Sequence, residues 1–317
     1  RTVLMRQAPT FSKSTQQDCM RLIEMAILED INSSDLESGV DCTTAAIVPD
    51  SAHAKAAFVS RSGGVVCGVE VVKLALQHWA PNIELKVNIN DGDWVNAGQT
   101  IGVMCGLAHD ILTMERTCLN FMCRLSGISS LTHKFVDEIG GTSACVLDTR
   151  KTTPGWRRLE KYAVSCGGGR KHRMGRYDAI RIKDNHLAFF RTQVREEGDV
   201  IPVAIQSAKT WIGKHANELP NGKDTILQLE VDTIEQLRVA LRTECDIVLL
   251  DNMTNGQLRE AGEIRNQLSP EIILEASGGV NLDSIVEIAK TGVERISVGA
   301  VTHSATNFDI GLDWEMS

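Results

Sequence analysis

The sequence predicts an α/β protein in two parts: antiparallel strands with helices first, then a (β/α) barrel, closed or open. Up to about residue 110, apolar and polar residues alternate between Gly and Asn-Asp turns. From about residue 144, short apolar runs end in a polar residue and are followed by amphipathic helical patterns. Because successive βα units imply parallel strands with right-handed crossovers, their number favours a barrel over a doubly wound sheet.

In the first part, a helix is predicted from about residue 18. The residues of its apolar face are Leu22, Ile23, Ala26 and Ile27. Residues 54–72 and 83–106 then alternate as antiparallel strands do. A second helix is predicted over residues 110–125, leading into the sequence SGISS.

In the second part, seven apolar runs are predicted as strands. They cover residues 144–150, 179–185, 201–206, 226–232, 246–252, 272–279 and 295–300. Four residues at the ends of successive runs, Glu230, Asp251, Glu275 and Ser297, are separated by 21, 24 and 22 residues, which is the length of one βα unit. Capping-box spacing supports the helix starts, in Thr233 with Gln236 and in Thr254 with Gln257. Polar residues that end such strands converge at one mouth of a barrel.

Charge is distributed unevenly along the chain. There are 41 Asp and Glu against 33 Lys and Arg, for a formal net charge of −8, which argues against a general nucleic-acid or anionic-membrane surface. Residues 148–183 nevertheless hold 11 of the 33 Lys and Arg and only three acidic residues. This concentration indicates a local basic pocket for a small polyanion.

The nine cysteines are scattered and form no CxxC pair. That pattern is typical of reduced, buried thiols in a cytosolic protein rather than of a disulfide framework or a zinc site. No apolar run approaches the roughly 20 residues that span a bilayer. The first residues lack the apolar region of a secretory signal, and the sequence leaves the order of residues 1–17 undecided.

Five cations among the predicted strand ends and loops, if they line the barrel mouth, would suit a ligand with several carboxylates or phosphates. They are Arg150, Lys151, His172, Arg173 and Lys183. Glu230 and Asp251 have two interpretations. They either balance charge through ion pairs, or they form an oxygen-ligand site for Mg²⁺, which needs only one or two carboxylates plus substrate oxygens.

A phosphate cradle is predicted at Ser277, Gly278 and Gly279, because bare backbone here precedes a helix that starts near Asn281. Residues 297–302, with Ser297 and Gly299, would complete the cradle. Cations, cradle and carboxylates together suit a substrate that bears pyrophosphate.

Other functions remain open at this point. Lys183 or Lys151 fits a Schiff-base lysine of an aldolase, and a phosphate-binding barrel without catalysis is also possible. The sequence GGGRKHR at residues 167–173 does not satisfy the P-loop pattern, and it lacks the aromatic residues of an RNA-binding patch. Its glycines are expected to allow a close approach of chain segments.

Residues 148–186 read DTRKTTPGWRRLEKYAVSCGGGRKHRMGRYDAIRIKDNH and closely resemble the central signature of the quinolinate phosphoribosyltransferases. Four further motifs follow the order of that family. They are ERTCLNFMCRLSGIS (115–129), LEVD (229–232), LLDNM (249–253) and EASGGV (275–280). The resemblance implies an α/β sandwich over residues 18–128, joined by residues 303–317, and an open α/β barrel over residues 129–302.

The resemblance also implies the reaction of quinolinate with phosphoribosyl pyrophosphate to nicotinate mononucleotide, pyrophosphate and CO₂, with Mg²⁺, in a homodimer or dimer-based hexamer, and the cysteine usage predicts a cytoplasmic location. By motif position, one set would hold the quinolinate carboxylates: Arg150, His172, Arg173 and Lys183, with Lys151 alongside. Glu230 and Asp251 would meet the ribose hydroxyls and Mg²⁺, and these two would share catalysis with Arg150, Lys151 and Lys183. Ser277, Gly278 and Gly279 would take the 5′-phosphate. Arg116 would enter the site of the neighbouring subunit.

Three residues depart from the pattern of the family. Lys171 replaces a usual Asn, and Arg176 and Arg181 replace usual apolar residues. Arg181 precedes Lys183 by two positions on a predicted strand, so both side chains share a face unless a bulge turns Arg181 away. The roles of Lys171, Arg176, Arg181 and the neighbouring Arg170 stay undetermined. A related enzyme for a monocarboxylate such as nicotinate is the nearest rival function.

Overall fold

The computed structural model describes residues 9–33, 39–193 and 199–315. The chain divides into two compact units. The first unit comprises Arg1–His133, Lys151–Gly169 and Val301–Ser317, and the second comprises Lys134–Arg150 and Arg170–Ala300. The predicted boundaries at residues 128 and 302 stay a prediction. The undecided residues 1–17 lie partly outside the described residues, since description begins at Pro9.

The first unit contains a four-stranded antiparallel sheet. Its strands are β1 (His53–Ser60), β3 (Glu84–Val87), β5 (Thr100–Leu107) and β12 (Ile310–Glu315), in the order β12-β1-β5-β3, and β2 (Gly64–Val65) pairs with β4 (Trp94–Val95) separately. Five helices accompany these strands: α1 (Lys13–Ile31), α2 (Cys42–Ile47), α3 (Val69–Trp79), α4 (Ala108–Glu138) and α5 (Arg157–Cys166). The last residues of α4 belong to the second unit. The predicted antiparallel texture is confirmed. The strand β12 pairs with β1 along its whole length, from Ile310 opposite Ser60 to Glu315 opposite Lys55.

Residues 69–72 were predicted as strand, and this is wrong: they begin helix α3. Gly68 adopts a φ of 115°, which turns the chain after β2. The carboxylate of Asp91 then accepts the amide of Val69 at 2.8 Å and that of Glu70 at 3.4 Å. These bonds satisfy two of the free amides at a helix start, so a β-branched sequence is held helical by a distant residue.

The two helices predicted in the first unit are confirmed in type but begin or end elsewhere. Helix α1 starts at Lys13 rather than near residue 18, because Ser12 caps it by accepting the amide of Thr15. Helix α4 continues through SGISS to Glu138. The hydroxyl of Ser129 donates to the carbonyl of Val65 at 2.6 Å, so these serines connect the helix to the chain beside it rather than ending it.

The second unit is an open α/β barrel built on six parallel strands, as predicted. The strands are β6 (Cys145–Leu147), β7 (Ala179–Ile182), β8 (Ile226–Val231), β9 (Ile247–Asp251), β10 (Ile273–Ser277) and β11 (Arg295–Ser297), in the order β6-β11-β10-β9-β8-β7. The helices are α6 (Asp184–Gln193), α7 (Val200–His215), α8 (Ile234–Ala240), α9 (Asn255–Leu268) and α10 (Leu282–Ala289), with a 3-10 turn at Gly222–Asp224 and α11 (Ala300–His303) where the chain leaves the unit. The step of about 22 residues therefore corresponds to successive βα units.

The run at residues 201–206 was predicted as a strand, and this is wrong: it lies in helix α7. Asp199 caps the helix by accepting the amide of Ile201 at 3.0 Å. Its buried residues include Ile201, Ala204 and Ile205, whose spacing is helical. Pro202 stands in the first turn, where its missing N–H has no intrahelical partner to lose.

Both predicted capping boxes are present. Thr233 and Gln236 cap α8, and Thr254 and Gln257 cap α9 through reciprocal bonds. A third box, not predicted, joins Asn281 to Ser284 at the start of α10. Three successive helices of the second unit, α8, α9 and α10, thus each start with a capping box.

The glycines at residues 167–169 lie against helix α4. A Cβ on Gly167 would stand 2.3 Å from the carbonyl oxygen of Ser129, and one on Gly169 would stand 2.7 Å from Cγ2 of Thr132. The expected close approach of chain segments is confirmed, and it is an approach to a helix.

No disulfide bond joins any of the nine cysteines, all of which lie among the described residues. Five are buried and Cys42 is exposed, so the expectation of uniformly buried thiols is wrong for Cys42. None of the described helices is long and apolar enough to cross a membrane.

Candidate active site

The strand ends of the second unit place two rows of side chains on one face of the sheet. Side chains two residues apart share a face, and so do residues paired in register on neighbouring strands. Arg181 pairs with Gln228, Glu275 with Arg295, and Ser277 with Asp251. The five residues at or next to the strand ends, called the outer row, are Lys183, Glu230, Asp251, Ser277 and Ser297. Two positions earlier on the same face lie Arg181, Gln228, Leu249, Glu275 and Arg295, and because Glu230 pairs in register with Leu249, it stands level with Glu275.

In the outer row, Lys183 and Glu230 form an ion pair. Nζ of Lys183 lies 3.0 Å from the carboxylate of Glu230, whose side chain is 10% exposed. Asp251 accepts the side-chain amide of Asn252 at 2.7 Å. Glu230 thus balances the charge of Lys183, which agrees with the first of the two interpretations, charge balance through an ion pair. Within the described residues, His, Cys, Asp and Glu do not gather in threes as a ready metal site.

Packing within the protein requires a glycine at the first glycine position of the Ser-Gly-Gly turn. Gly278 has a φ of 99°, and a Cβ there would stand 2.1 Å from Oδ1 of Asn252 and 2.9 Å from its backbone nitrogen. Asn252 itself has a φ of 53° and donates its amide to the carbonyl of Ser277 at 2.9 Å. A Cβ on Gly279 would meet no atom within 4 Å, so this glycine borders open space.

The loop after Arg170 is anchored to the sheet before it reaches the strand β7. The amide of Arg170 donates to Val146 at 2.8 Å, and the amide of Asp148 donates back to Arg170 at 3.1 Å. The buried carboxylate of Asp148 accepts the amide of His172 at 2.8 Å. Farther along, Asp178 accepts the amides of Met174 and Gly175. These bonds hold the His-Arg pair at a defined place.

Arg173 has other positively charged side chains as neighbours, among them Arg181 and Arg150. Its Nη1 donates to the carbonyl of Ala179 at 3.1 Å. Burial, followed by the charges of Arg181 and Arg150, lowers the pKa of Arg173 to about 10. A guanidinium whose charge is disfavoured in this way gains stability when an anion binds beside it.

Below the outer row, Glu275 is surrounded by donors and cations. Its side chain is fully buried, and it accepts from Gln228 at 3.0 Å, from Ser297 at 2.5 Å and from Arg181 at 3.3 Å. Nε2 of His172 lies 3.1 Å from the same carboxylate, and Nε of Arg295 lies 2.8 Å from it. Because Gln228 and Glu275 reach one another across β9, these side chains fill the interior of the open barrel.

The ionisation of Glu275 follows from these contacts. Burial by itself would raise the pKa of this carboxyl, but its contacts with His172, Arg295 and Ser297 bring the pKa down to about 2. Burial also lowers the pKa of Arg181 and of His172. The carboxylate therefore stays charged at neutral pH, and it offsets the cations placed above it.

The sequence argument named Glu275 only as a strand-end residue, without a role in the site, and it missed Gln228 and Arg295. Spacing of two residues from a predicted site residue would have found them: Gln228 precedes Glu230, Glu275 precedes Ser277, and Arg295 precedes Ser297. For Arg181 two orientations were open. The β7–β8 register runs without a bulge, and Arg181 points at Gln228 and Glu275.

Two predicted site residues belong to the first unit. Arg116 is exposed on helix α4, and the carbonyl of Lys151 accepts the hydroxyl of Thr302 at 2.7 Å. The remaining predicted site residues all belong to the second unit: Arg150, His172, Arg173, Lys183, Glu230, Asp251, Ser277, Gly278, Gly279, Ser297 and Gly299.

The second unit combines an open barrel with clustered cations and with carboxylates at the strand ends. This combination is typical of a class of enzyme that binds polyanionic substrates at the carboxyl ends of its parallel strands. The family model described as quinolinate phosphoribosyl transferase, C-terminal domain, matches residues 128–313, and the one for the N-terminal domain matches residues 41–126. The chain belongs to the quinolinate phosphoribosyltransferase family, and it is accordingly a phosphoribosyltransferase with the two-domain fold of that family.

Relatives of known name agree with this assignment. The chain is 39% identical over 283 residues to the carboxylating nicotinate-nucleotide pyrophosphorylase of Mycobacterium leprae, covering 88% of this chain and 93% of the relative. The probable enzyme of the same name from Bacillus subtilis is 35% identical and shares 94% of this chain and 93% of its own length. The solved nicotinate-nucleotide pyrophosphorylase from Francisella tularensis superposes with a TM-score of 0.82 at 32% identity, over 99% of this chain and all of that one.

Proposed function

We propose that this chain joins quinolinate to phosphoribosyl pyrophosphate and releases CO₂, giving nicotinate mononucleotide and pyrophosphate for NAD biosynthesis. Family membership supports the reaction, since the relatives carry the names carboxylating nicotinate-nucleotide pyrophosphorylase and decarboxylating quinolinate phosphoribosyltransferase. One observation from the site carries the choice of a dianionic acid. Burial, followed by the charges of Arg181 and Arg150, lowers the pKa of Arg173, so the site holds clustered guanidinium groups whose charges repel one another.

The cation cluster favours quinolinate over a monocarboxylate for an electrostatic reason. Each carboxylate that binds relieves repulsion among guanidinium groups held in a partly buried place. A single carboxylate would leave part of that repulsion uncompensated. Arg150, His172, Arg173 and Lys183 are therefore proposed to bind the acid, with Lys151 beside them.

The outer-row carboxylates suit the transfer step. Loss of pyrophosphate from C1 of the ribose leaves positive charge on the sugar, which Glu230 and Asp251 would stabilise through the ribose hydroxyls and by their charge. The pyridine nitrogen of quinolinate forms the new bond to C1 as the bond to pyrophosphate breaks. Lys183, paired with Glu230, would connect the acid-binding set to this carboxylate pair.

Mg²⁺ is proposed at Glu230 and Asp251, the last residue but one of β8 and the last residue of the neighbouring strand β9. Two carboxylates fit this ion, because Mg²⁺ commonly takes one or two protein carboxylates and completes its shell with water and substrate phosphates. When bound, the ion would supply positive charge for the departing pyrophosphate.

Decarboxylation needs no further group from the protein. Once the nitrogen carries the ribose it is a pyridinium cation. The bond between C2 and its carboxylate can then break, with the electron pair left on C2 stabilised by the adjacent positive nitrogen. CO₂ leaves, and a proton takes its place on C2.

Several finer assignments rest on the resemblance. Ser277, Gly278 and Gly279, with Ser297 and Gly299, are proposed to hold the 5′-phosphate at the start of helix α10. Arg116 is proposed to act in the site of a second copy of the chain, so that the active form would be a homodimer or an assembly of dimers. A cytoplasmic location stays a prediction from cysteine usage.

A Schiff-base aldolase is disfavoured by the pair at the strand ends. Nζ of Lys183 is engaged in a 3.0 Å ion pair with Glu230, whereas a Schiff-base lysine directs its amine at the carbonyl of the substrate. Family membership points away from both the aldolase and the phosphate-binding barrel without catalysis.

The proposal is tested by incubating the purified protein with phosphoribosyl pyrophosphate, Mg²⁺ and carboxyl-labelled quinolinate, with nicotinate in a parallel reaction. Labelled CO₂ and nicotinate mononucleotide should form together from quinolinate, and nicotinate should give little product. Arg150→Ala should lower turnover at least ~100-fold, because an arginine-carboxylate fork is lost. The matched control is Arg259→Ala, which removes an exposed arginine of helix α9 in the same unit. Turnover of nicotinate without CO₂ release from quinolinate would contradict the proposal.

A further inference from the structure

The guanidinium of Arg181 lies beside the proposed acid-binding residues, but it comes from strand β7 rather than from the loop before it. Nη2 of Arg181 lies 2.6 Å from Nε2 of His172. Arg181 also precedes Lys183 by two residues, and β7 pairs with β8 without a bulge, so both side chains project from the same face. The side chain of Arg181 is 16% exposed. It therefore adjoins two residues of the acid-binding set without belonging to that set so far.

The protein holds Arg181 along one edge of its guanidinium. Nε donates to Oε1 of Gln228 at 2.7 Å, and Nη2 lies 3.3 Å from Oε1 of Glu275. Within the described residues, the hydrogen bonds of Arg181 use Nε and Nη2, so Nη1 is available to a ligand. A planar guanidinium that is fixed along one edge presents its remaining N–H groups in a defined direction.

The carboxylates around Arg181 are shared with other cations. Nε of Arg295 lies 2.8 Å from Glu275, which is closer than Arg181. The neighbouring carboxylate, Glu230, forms its ion pair with Lys183 at 3.0 Å. Three cations thus face two carboxylates, and burial lowers the pKa of Arg181 in spite of both carboxylates. Excess positive charge in a largely buried place is costly unless a bound anion offsets it.

We propose that Arg181 is a further acid-binding residue, which donates from Nη1 to a substrate carboxylate and makes the pocket prefer an aromatic acid with two adjacent carboxylates. The second carboxylate supplies the negative charge that the protein does not provide. A monocarboxylate has only one such group for all the cations, so it leaves the excess charge in place. This inference rests on the proposed function for the identity of the acid.

The test measures binding of quinolinate and of nicotinate by calorimetry, without phosphoribosyl pyrophosphate, so that neither acid reacts. The two acids differ by one carboxylate. Arg181→Leu should raise the Kd for quinolinate at least ~10-fold and the Kd for nicotinate less than ~3-fold, because one charge-assisted bond is lost. Arg181→Lys should restore part of the affinity for quinolinate. An unchanged Kd for quinolinate, or an equal loss for both acids, would overturn the proposal.

Two control variants separate direct contact from indirect effects. Arg295→Leu removes the other guanidinium that contacts Glu275. Arg176→Leu removes an exposed arginine whose charge also acts on Arg173. Each control should change the ratio of the two Kd values less than ~3-fold, because exposed charges are screened and a disturbed Glu275 affects both acids alike. A change of this ratio in Arg295→Leu as large as that in Arg181→Leu would assign the effect to Glu275 and overturn the proposal.

Failure to fold and failure of the proposed function are both distinguishable from failure of this inference. If Arg181→Leu does not fold, Arg181→Gln decides by the same ratio, since it loses the charge but can still bond to Gln228. If no CO₂ is released from quinolinate while the ratio changes as expected, the proposed function fails and Arg181 remains a residue that binds dicarboxylates. If CO₂ is released and the ratio is unchanged in Arg181→Leu, only this inference fails.

Discussion

The ammonium of Lys183 and the carboxylate of Glu230 lie 3.0 Å apart at the ends of neighbouring strands. Glu230 is 10% exposed and Lys183 is 42% exposed, so the pair stands where the buried row meets the pocket. Each residue has a proposed contact of its own with substrate. Their ion pair means that neither can be removed without changing the charge of the other's surroundings.

Replacing either partner of this pair should impair turnover, and the two losses should not add. Lys183→Met and Glu230→Gln should each lower kcat/KM at least ~100-fold, and the double variant should lower it by less than the product of both. Initial rates with quinolinate measure this. Lys209→Met is the control, since Lys209 forms a 3.6 Å surface pair with Glu244. Simple multiplication of the two losses would show that the pair is not coupled in the reaction.

The two glycines of the Ser-Gly-Gly turn should respond differently to alanine. Both have positive φ, so each alanine carries a similar backbone penalty of about 1 kcal/mol. At Gly278 the new Cβ would also overlap Asn252, whereas at Gly279 it would meet no atom within 4 Å. Gly278→Ala should therefore lower the free energy of unfolding by at least ~1 kcal/mol more than Gly279→Ala. Urea denaturation of both variants checks this, and equal losses would contradict the overlap with Asn252.

Substitution at Gly167 should destabilise the first unit. Its Cβ position lies 2.3 Å from the carbonyl of Ser129, a backbone atom that cannot rotate away. Gly167→Ala should lower the free energy of unfolding by about 2–3 kcal/mol. Gly213→Ala on helix α7 is the opposite case, because open space surrounds that position and alanine favours helix by about 0.5–1 kcal/mol. Denaturation curves measure both, and a stable Gly167→Ala protein would refute the close approach.

Asp91 should make stability depend on pH between about 4 and 6. Burial raises the pKa of Asp91 from 3.8 to about 6, against the bonds from Val69, Glu70 and Tyr162 that lower it. The folded protein then binds the proton more tightly than the unfolded chain, so stability falls as pH rises from about 4 to 6. The loss is at most about 3 kcal/mol. Asp91→Asn should not show this loss of stability. If the difference in free energy of unfolding between the two proteins is constant across this pH range, the raised pKa is contradicted.

Local patterns sufficed where structure depends on neighbours in sequence. The spacing near 22 residues located successive βα units, and the capping boxes at Thr233 and Thr254 were readable because a cap involves residues three positions apart. Strand-end residues such as Glu230 and Asp251 were also predictable, since the direction of parallel strands places their ends together. The cation density of residues 148–183 indicated a polyanion before any contact was known.

Distant contacts decided the remainder. Residues 69–72 have a strand-like composition, yet the carboxylate of Asp91 holds their amides as a helix start. Residues 201–206 are apolar in a way that suits strand or helix, and burial of one side of α7 settles the choice.

By itself, the sequence determined the class of fold, the family and the charge of the pocket, because period, spacing and residue type are local properties. Only the tertiary structure decided which way Arg181 points and what His172 bonds to. Those outcomes depend on the register of β7 with β8 and on a carboxylate 103 positions away, at Glu275. Register and burial arise when separate strands meet, so no single stretch of the chain carries them.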